Sequence, residues 1–168
     1  MHPLPYNAAL LVIDVQEGFD EPAWGGGRNN PEMEASIARL QRAWRASGRV
    51  LMHVRHDSRW PGSPLHPSRP GNAIKPGVEP LAGEPVISKS VSSAFIGTGL
   101  EVMLRQCGVS TVVITGLQTG HCVSTTARMA ANLGVQDVCR LRCHRDVRPD
   151  RTRRQAPPRG GRPLAGAG

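Results

Sequence analysis

This 168-residue chain contains no apolar span of about 20 residues, which excludes a transmembrane helix on its sequence. No basic n-region with an apolar core is present, so no secretory signal is expected. Four cysteines, Cys107, Cys122, Cys139 and Cys143, fit no compact disulfide framework. Together these absences predict a soluble cytoplasmic protein with reduced thiols and no membrane partner. Aromatic residues are scarce at 4%, and the hydrophobic share of 39% is low but sufficient for the core of one globular domain. Lysine occurs only at Lys75 and Lys89, so a lysine closing a strand is not one of many interchangeable surface charges.

The net charge of +8 raises a nucleic-acid reading, which its distribution argues against. Residues 139–168 hold nine Arg against two Asp, a balance of +7, leaving +1 for residues 1–138. The body is therefore nearly neutral, and nucleic acid is not the expected partner. Two segments follow: a domain over 1–138 and an Arg-rich tail over 139–168.

Within the body, apolar runs alternate with helical patterns. Residues 8–14 form a nearly continuous apolar run, as in a parallel strand buried on both faces. From Pro31 to Ser47, Ile37, Leu40, Ala43 and Trp44 recur at helical spacing, with Glu32 and Glu34 at the start and Gly48 at the end. Strands are expected at 50–54, 85–88 and 111–115, and helices at 99–107 and from Cys122 to Gly134. Between Asp57 and Gly83, six Pro and four Gly forbid a long helix or central strand. A long irregular segment inside a domain is commonly functional, and this one is expected to border the site. Strands alternating with helices predict an α/β fold, three layers α/β/α around a mainly parallel sheet.

Three strand ends carry chemistry. Asp14 closes the first strand, Lys89 follows Pro85-Val86-Ile87-Ser88, and Cys122 stands between a strand and a helix start. In an open parallel sheet the carboxyl ends of the strands form the ligand crevice. A thiol at a helix N-terminus is expected to ionise below its free value of roughly 8.5. Taken singly, Cys122 could be a buried small hydrophobe, Asp14 a loop cap and Lys89 a surface charge. Cys107, on the apolar face of a helix, reads as core. The spacing of Cys139 and Cys143 suits a metal, but no second pair accompanies them.

These blocks resemble the isochorismatase-like cysteine hydrolases: Leu11-Val12-Ile13-Asp14-Val15-Gln16, Ile87-Ser88-Lys89-Ser90 with Ser93-Ala94-Phe95, and Gly116-Leu117-Gln118-Thr119-Gly120-His121-Cys122-Val123-Ser124-Thr125-Thr126. The resemblance runs from about residue 8 to 134. It implies Cys122 as nucleophile, Asp14 as general base and later acid, and Lys89 as the cation beside it. It also implies a cis peptide at Leu117-Gln118, an oxyanion hole from the backbone N–H groups of Gln118 and Cys122, and pocket contacts from Phe19, Trp24 and Phe95. The expected reaction is hydrolysis of a C–N bond in a small amide or carbamoyl substrate through a thioester, with no cofactor.

Alternatives are vinyl-ether hydrolysis of the isochorismatase type, or an inactive remnant whose basic tail binds nucleic acid. Members are often oligomers, so a homo-oligomer is a further expectation. The chain departs from the family at Gly120, where an acidic or Asn residue is common. It also departs at the nicotinamidase metal site: His53, His56, Asp57 and His66 occupy the right region in the wrong order, so no metal is expected.

After Gly134 such a fold needs another apolar strand and a helix. From Cys139 onward the chain instead lacks any hydrophobic period, which predicts a disordered or frame-shifted end after about residue 138.

Overall fold

The computed structural model describes residues 4–21 and 30–145, with residues 137–145 described as backbone. Five parallel strands form one sheet: β1 (Ala9–Ile13), β2 (Leu51–His56), β3 (Val86–Lys89), β4 (Thr111–Leu117) and β5 (Gln136–Arg145), in the order β3-β2-β1-β4-β5. Helices α1 (Met33–Ala46), α2 (Leu100–Gln106) and α3 (Ser124–Asn132) supply the crossovers.

Side-chain alternation along β1 separates the two layers it contacts. Leu10 and Val12 join Met33, Ile37 and Trp44 of α1, whereas Ala9, Leu11 and Ile13 join Leu100 and Leu104 of α2 and Ala130 of α3. Both faces of β1 are thus covered, which is why its sequence is continuously apolar rather than alternating. The three-layer expectation holds, and each fully buried leucine of β1 is worth about 2–5 kcal/mol against alanine.

The chain proceeds from β1 to β2 and β3 on one side, then returns to β4 and β5 on the other. Its switch point lies between β1 and β4, where the carboxyl ends of neighbouring strands diverge. Gly116 makes this junction possible. Its φ is +127°, and a Cβ added there would lie 1.9 Å from the Ile13 carbonyl oxygen, so only glycine lets β4 pass β1 beside Asp14.

Two strands run further than the sequence pattern indicates. β2 reaches His56 and β4 reaches Leu117. The extra length of β2 places His56 directly beside Lys89 in the β2–β3 register. The long Pro/Gly segment lies over these ends, held by an isolated Gln16–Ile74 bridge and by the Lys75 N–H to Val15 carbonyl bond. Its Asn72 amide donates to the carbonyls of His56 and Leu65 and to Asp57.

β5 crosses the boundary at 138 suggested by composition. Its ladder pairs Thr111 with Gln136 through Ile114 with Cys139, then resumes at Gly116 with His144. Over that break β4 advances two residues and β5 five. Peptide groups can extend an edge ladder without an apolar side-chain period, so an Arg-rich sequence does not stop the strand at 138. The ladder is nevertheless interrupted where the composition changes. The rest of the expected tail, 146–168, lies outside the described residues.

Candidate active site

The carboxyl ends of β1, β3 and β4 bring Asp14, Lys89 and Cys122 together. Asp14, the first residue after β1, adopts φ +52° and its N–H bonds to the Val54 carbonyl. Lys89 ends β3. Cys122 lies in a π-helical turn, Thr119–Val123, that joins β4 to α3. The Lys89 ammonium donates to Asp14 Oδ2 at 2.6 Å, to the Val91 carbonyl at 3.1 Å and to Cys122 Sγ at 3.3 Å. His56 Nδ1 is also 3.1 Å from it. Asp14 and Lys89 form an ion pair whose side chains are both 0% exposed, while Asp14 Oδ1 is buried without a hydrogen-bond partner.

Burial and charge fix the resting protonation of this cluster. Burial raises the Asp14 carboxyl to about 6, with the neighbouring Lys89 ammonium opposing the shift. Burial, followed by the Asp14 charge, pushes the Cys122 thiol up to about 12, with Lys89 again opposing. The expectation of a lowered thiol is therefore corrected. α3 begins only at Ser124, and a helix terminus contributes about 0.3–1 kcal/mol, less than one pK unit of preference for the thiolate. Desolvation beside a carboxylate outweighs that term. Near neutrality Asp14 is mainly a carboxylate and Cys122 a protonated thiol, with Asp14 able to accept the thiol proton.

The peptide Leu117–Gln118 is cis, as the resemblance implies. In the turn that follows, the N–H groups of His121 and Val123 bond to the Gln118 carbonyl, and that of Ser124 bonds to the His121 and Thr119 carbonyls.

A cavity of about 270 Å³ opens over the thiol, lined by Phe19, His56, Leu65, Ser92, Gln118, His121 and Cys122. Phe19 lines this cavity. Phe95 does not line this cavity; at 8% exposure it packs in the cluster that includes Ile13, Leu100 and Val123, because the turn after Ser93 directs it onto the sheet. Trp24 lies outside the described residues. Leu65 brings the Pro/Gly segment to the pocket wall.

Sequence reasoning missed His56 as a member of the centre, having weighed it only as a metal ligand. The available signal was its place two residues beyond the apolar run, three beyond His53, one strand from the lysine. His53 instead points into the protein body, 1% exposed and 3.1 Å from Glu84. Gln16, also in the first motif, clamps the His56 backbone from both sides: its amide donates to the His56 carbonyl at 3.0 Å and its carbonyl accepts from the His56 N–H at 2.8 Å. Asp14, His56 and Cys122 offer ligand atoms within 4.8 Å of one another, a metal-like trio, but the Lys89 ammonium bonds to all three residues.

The fold and site define a doubly wound α/β hydrolase with a thiol, a carboxylate and an ammonium at its switch point. The chain belongs to the isochorismatase family, whose isochorismatase domain model matches residues 8–156. It is 48% identical over 126 residues to the isochorismatase family protein YrdC of Bacillus subtilis, covering 75% of this chain and 67% of that one. A solved isochorismatase-family structure from Chromobacterium violaceum superposes with a TM-score of 0.81 at 45% identity, covering 86% of this chain and 74% of the other. Streptothricin hydrolase of Streptomyces noursei is 34% identical over 75% of this chain, which spans 45% of that enzyme. Maleamate amidohydrolase of Pseudomonas putida is 29% identical, with coverage of 84% and 74%. N-carbamoylsarcosine amidase of Thermoplasma acidophilum is 26% identical with a TM-score of 0.72, covering 83% of each chain to within one point. Among the described residues no helix is long and apolar enough to cross a membrane.

Proposed function

We propose that the chain is a cysteine amidohydrolase acting on a small amide or carbamoyl compound, with Cys122 as nucleophile, Asp14 as proton carrier and Lys89 as the fixed cation. The observation that carries this reading is the convergence of Cys122 and Asp14 on the buried Lys89 ammonium, with a protonated thiol beside a carboxylate that has an unused oxygen. The amidase and amidohydrolase names among its relatives support the same bond type.

In the first half-reaction Asp14 takes the thiol proton as Cys122 Sγ bonds to the substrate carbonyl carbon. The carbonyl electrons move onto oxygen, which the Gln118 and Cys122 N–H groups receive. Collapse of that intermediate breaks the C–N bond, and Asp14 returns the proton to the departing nitrogen. Water then gives a proton to Asp14 while attacking the thioester, and the released sulfur recovers it. Keeping the thiol neutral until substrate arrives avoids placing a second anion beside Asp14 in the buried site. A cavity of about 270 Å³ limits the acyl portion to a small molecule.

The test is ammonia or amine release from a panel of small primary amides and carbamoyl compounds, with intact-protein mass spectrometry after rapid acid quench. An acyl adduct on Cys122 that is absent from Cys122→Ala is the expected result. Turnover that survives Cys122→Ala would overturn the assignment.

A further inference from the structure

Both the backbone and the ring of His56 are fixed. The Gln16 clamp and the Asn72 bond hold the strand end, while the β2–β3 register sets its side chain beside Lys89. The ring meets the ammonium through Nδ1 at 3.1 Å and also lines the cavity above Cys122. An ammonium has three protons to donate and no lone pair to offer, so Nδ1 shares them with Asp14, Val91 and Cys122 only as the unprotonated nitrogen. In a neutral imidazole the proton then resides on Nε2. Burial, reinforced by Lys89 and opposed by Asp57, lowers the ring to about 4, which keeps it neutral through the physiological range.

We propose that His56 is a substrate-recognition residue of this site, locked by Lys89 in the tautomer that presents Nε2–H as a hydrogen-bond donor to an acceptor next to the scissile carbonyl. This rests on the amidohydrolase reading for the identity of the reacting bond, but the tautomer and the donor are properties of the folded chain. The corresponding substrate class carries an oxygen or nitrogen acceptor on its acyl side. The cavity walls supplied by Phe19 and Leu65 offer apolar contact, leaving His56, Ser92, Gln118 and His121 as the polar lining.

The full chain labelled with ¹⁵N-histidine tests the tautomer by two-bond ¹H–¹⁵N spectra at neutral pH, the His56 signals being identified by their loss in His56→Asn. The expected pattern is a protonated Nε2 and an unprotonated Nδ1; a protonated Nδ1 would overturn the proposal. The donor is tested by alkylation of Cys122, followed by peptide mapping, with iodoacetamide and with iodoethane. Only the first reagent carries an acceptor near its reacting carbon.

His56→Asn retains an amide oxygen near the Nδ1 position and has no donor at the Nε2 position. It should slow iodoacetamide by about three- to tenfold relative to iodoethane, the range of one hydrogen bond. His56→Gln restores an N–H near the Nε2 position and should recover that preference while slowing both reagents through Lys89. Equal slowing of both reagents by His56→Asn would reject substrate recognition and leave His56 a support for Lys89. If no amide is hydrolysed by the wild-type chain, the hydrolase reading fails while the spectra and the reagent ratio still decide the role of His56.

Discussion

Lys89→Met would remove the ammonium while keeping most of its aliphatic volume. The wild-type pair is 0% exposed on both sides, so the variant must bury the Asp14 carboxylate without its cation. Breaking a buried ion pair from one side costs about 3–5 kcal/mol. For a chain of this size that corresponds to a fall in Tm of about 6–20 °C. The loss should depend on pH. Asp14 already has a folded-state pKa of about 6 against 3.8 for the free group, so folding favours its protonated form. A carboxyl with a raised folded pKa loses stability as pH rises from the unfolded value through the folded one. Removing Lys89 widens that interval, so the deficit of Lys89→Met relative to wild type should be largest above neutrality and shrink as pH falls toward about 4. Urea unfolding followed by circular dichroism across this range measures it. Combining Lys89→Met with Asp14→Asn should recover part of the loss, because no charge remains to be buried. A deficit that stays constant with pH, together with a double variant no more stable than Lys89→Met, would refute the charge argument.

Gly116→Ala should destabilise the chain by more than about 3 kcal/mol, combining the positive φ with overpacking against the Ile13 carbonyl, whereas Gly48→Ala, where φ is +65° and the space is open, should cost about 1–2 kcal/mol in the same urea assay. Activity on any accepted amide should rise with pH through about 6, where Asp14 gains its basic form, and Asp14→Asn should remove both the limb and the turnover in a pH–rate profile. Lys75→Met should raise KM more than it lowers kcat, since buried Lys75 ties Asp20, next to the Phe19 pocket wall, to Glu34 of α1. Steady-state kinetics would separate the two.

The layered fold was readable because its cause is local. A strand covered on both faces must be apolar throughout, and Ala8 to Ile13 is; a helix packed on one face must repeat near 3.6, and Ile37, Leu40 and Trp44 do. The same patterns place Asp14, Lys89 and Cys122 at strand ends, from which their meeting follows once the sheet is parallel. What the pattern could not provide was the ionisation of the centre. A cysteine before a helix suggests a stabilised thiolate, yet the sequence does not reveal that a 0%-exposed carboxylate lies beside the sulfur or that Lys89 divides its protons among several acceptors. Strand length had a similar effect on His56. The apolar run ends at Val54, but the ladder continues through Arg55 and His56 because peptide bonds to β3 and the Gln16 clamp reward extension independently of hydrophobicity.

The reach of such peptide pairing also explains why β5 could be missed. Its ladder continues beyond Cys139, while the jump from Cys139 to His144 shows where register changes against β4. An apolar side-chain pattern specifies which face of a strand is buried, and thereby discriminates against slips in register. The Arg-Leu-Arg-Cys segment lacks the continuous apolar pattern of β1, so backbone pairing there need not imply the same register specificity. The proposed catalytic centre is built from β1, β3 and the turn after β4, and therefore draws its three reacting groups from the part of the chain where sequence pattern and ladder agree. The consequence is a separation of roles within one sheet: buried apolar strands position the ends that carry chemistry, whereas the β5 edge supplies a backbone neighbour to β4 without contributing any of those groups.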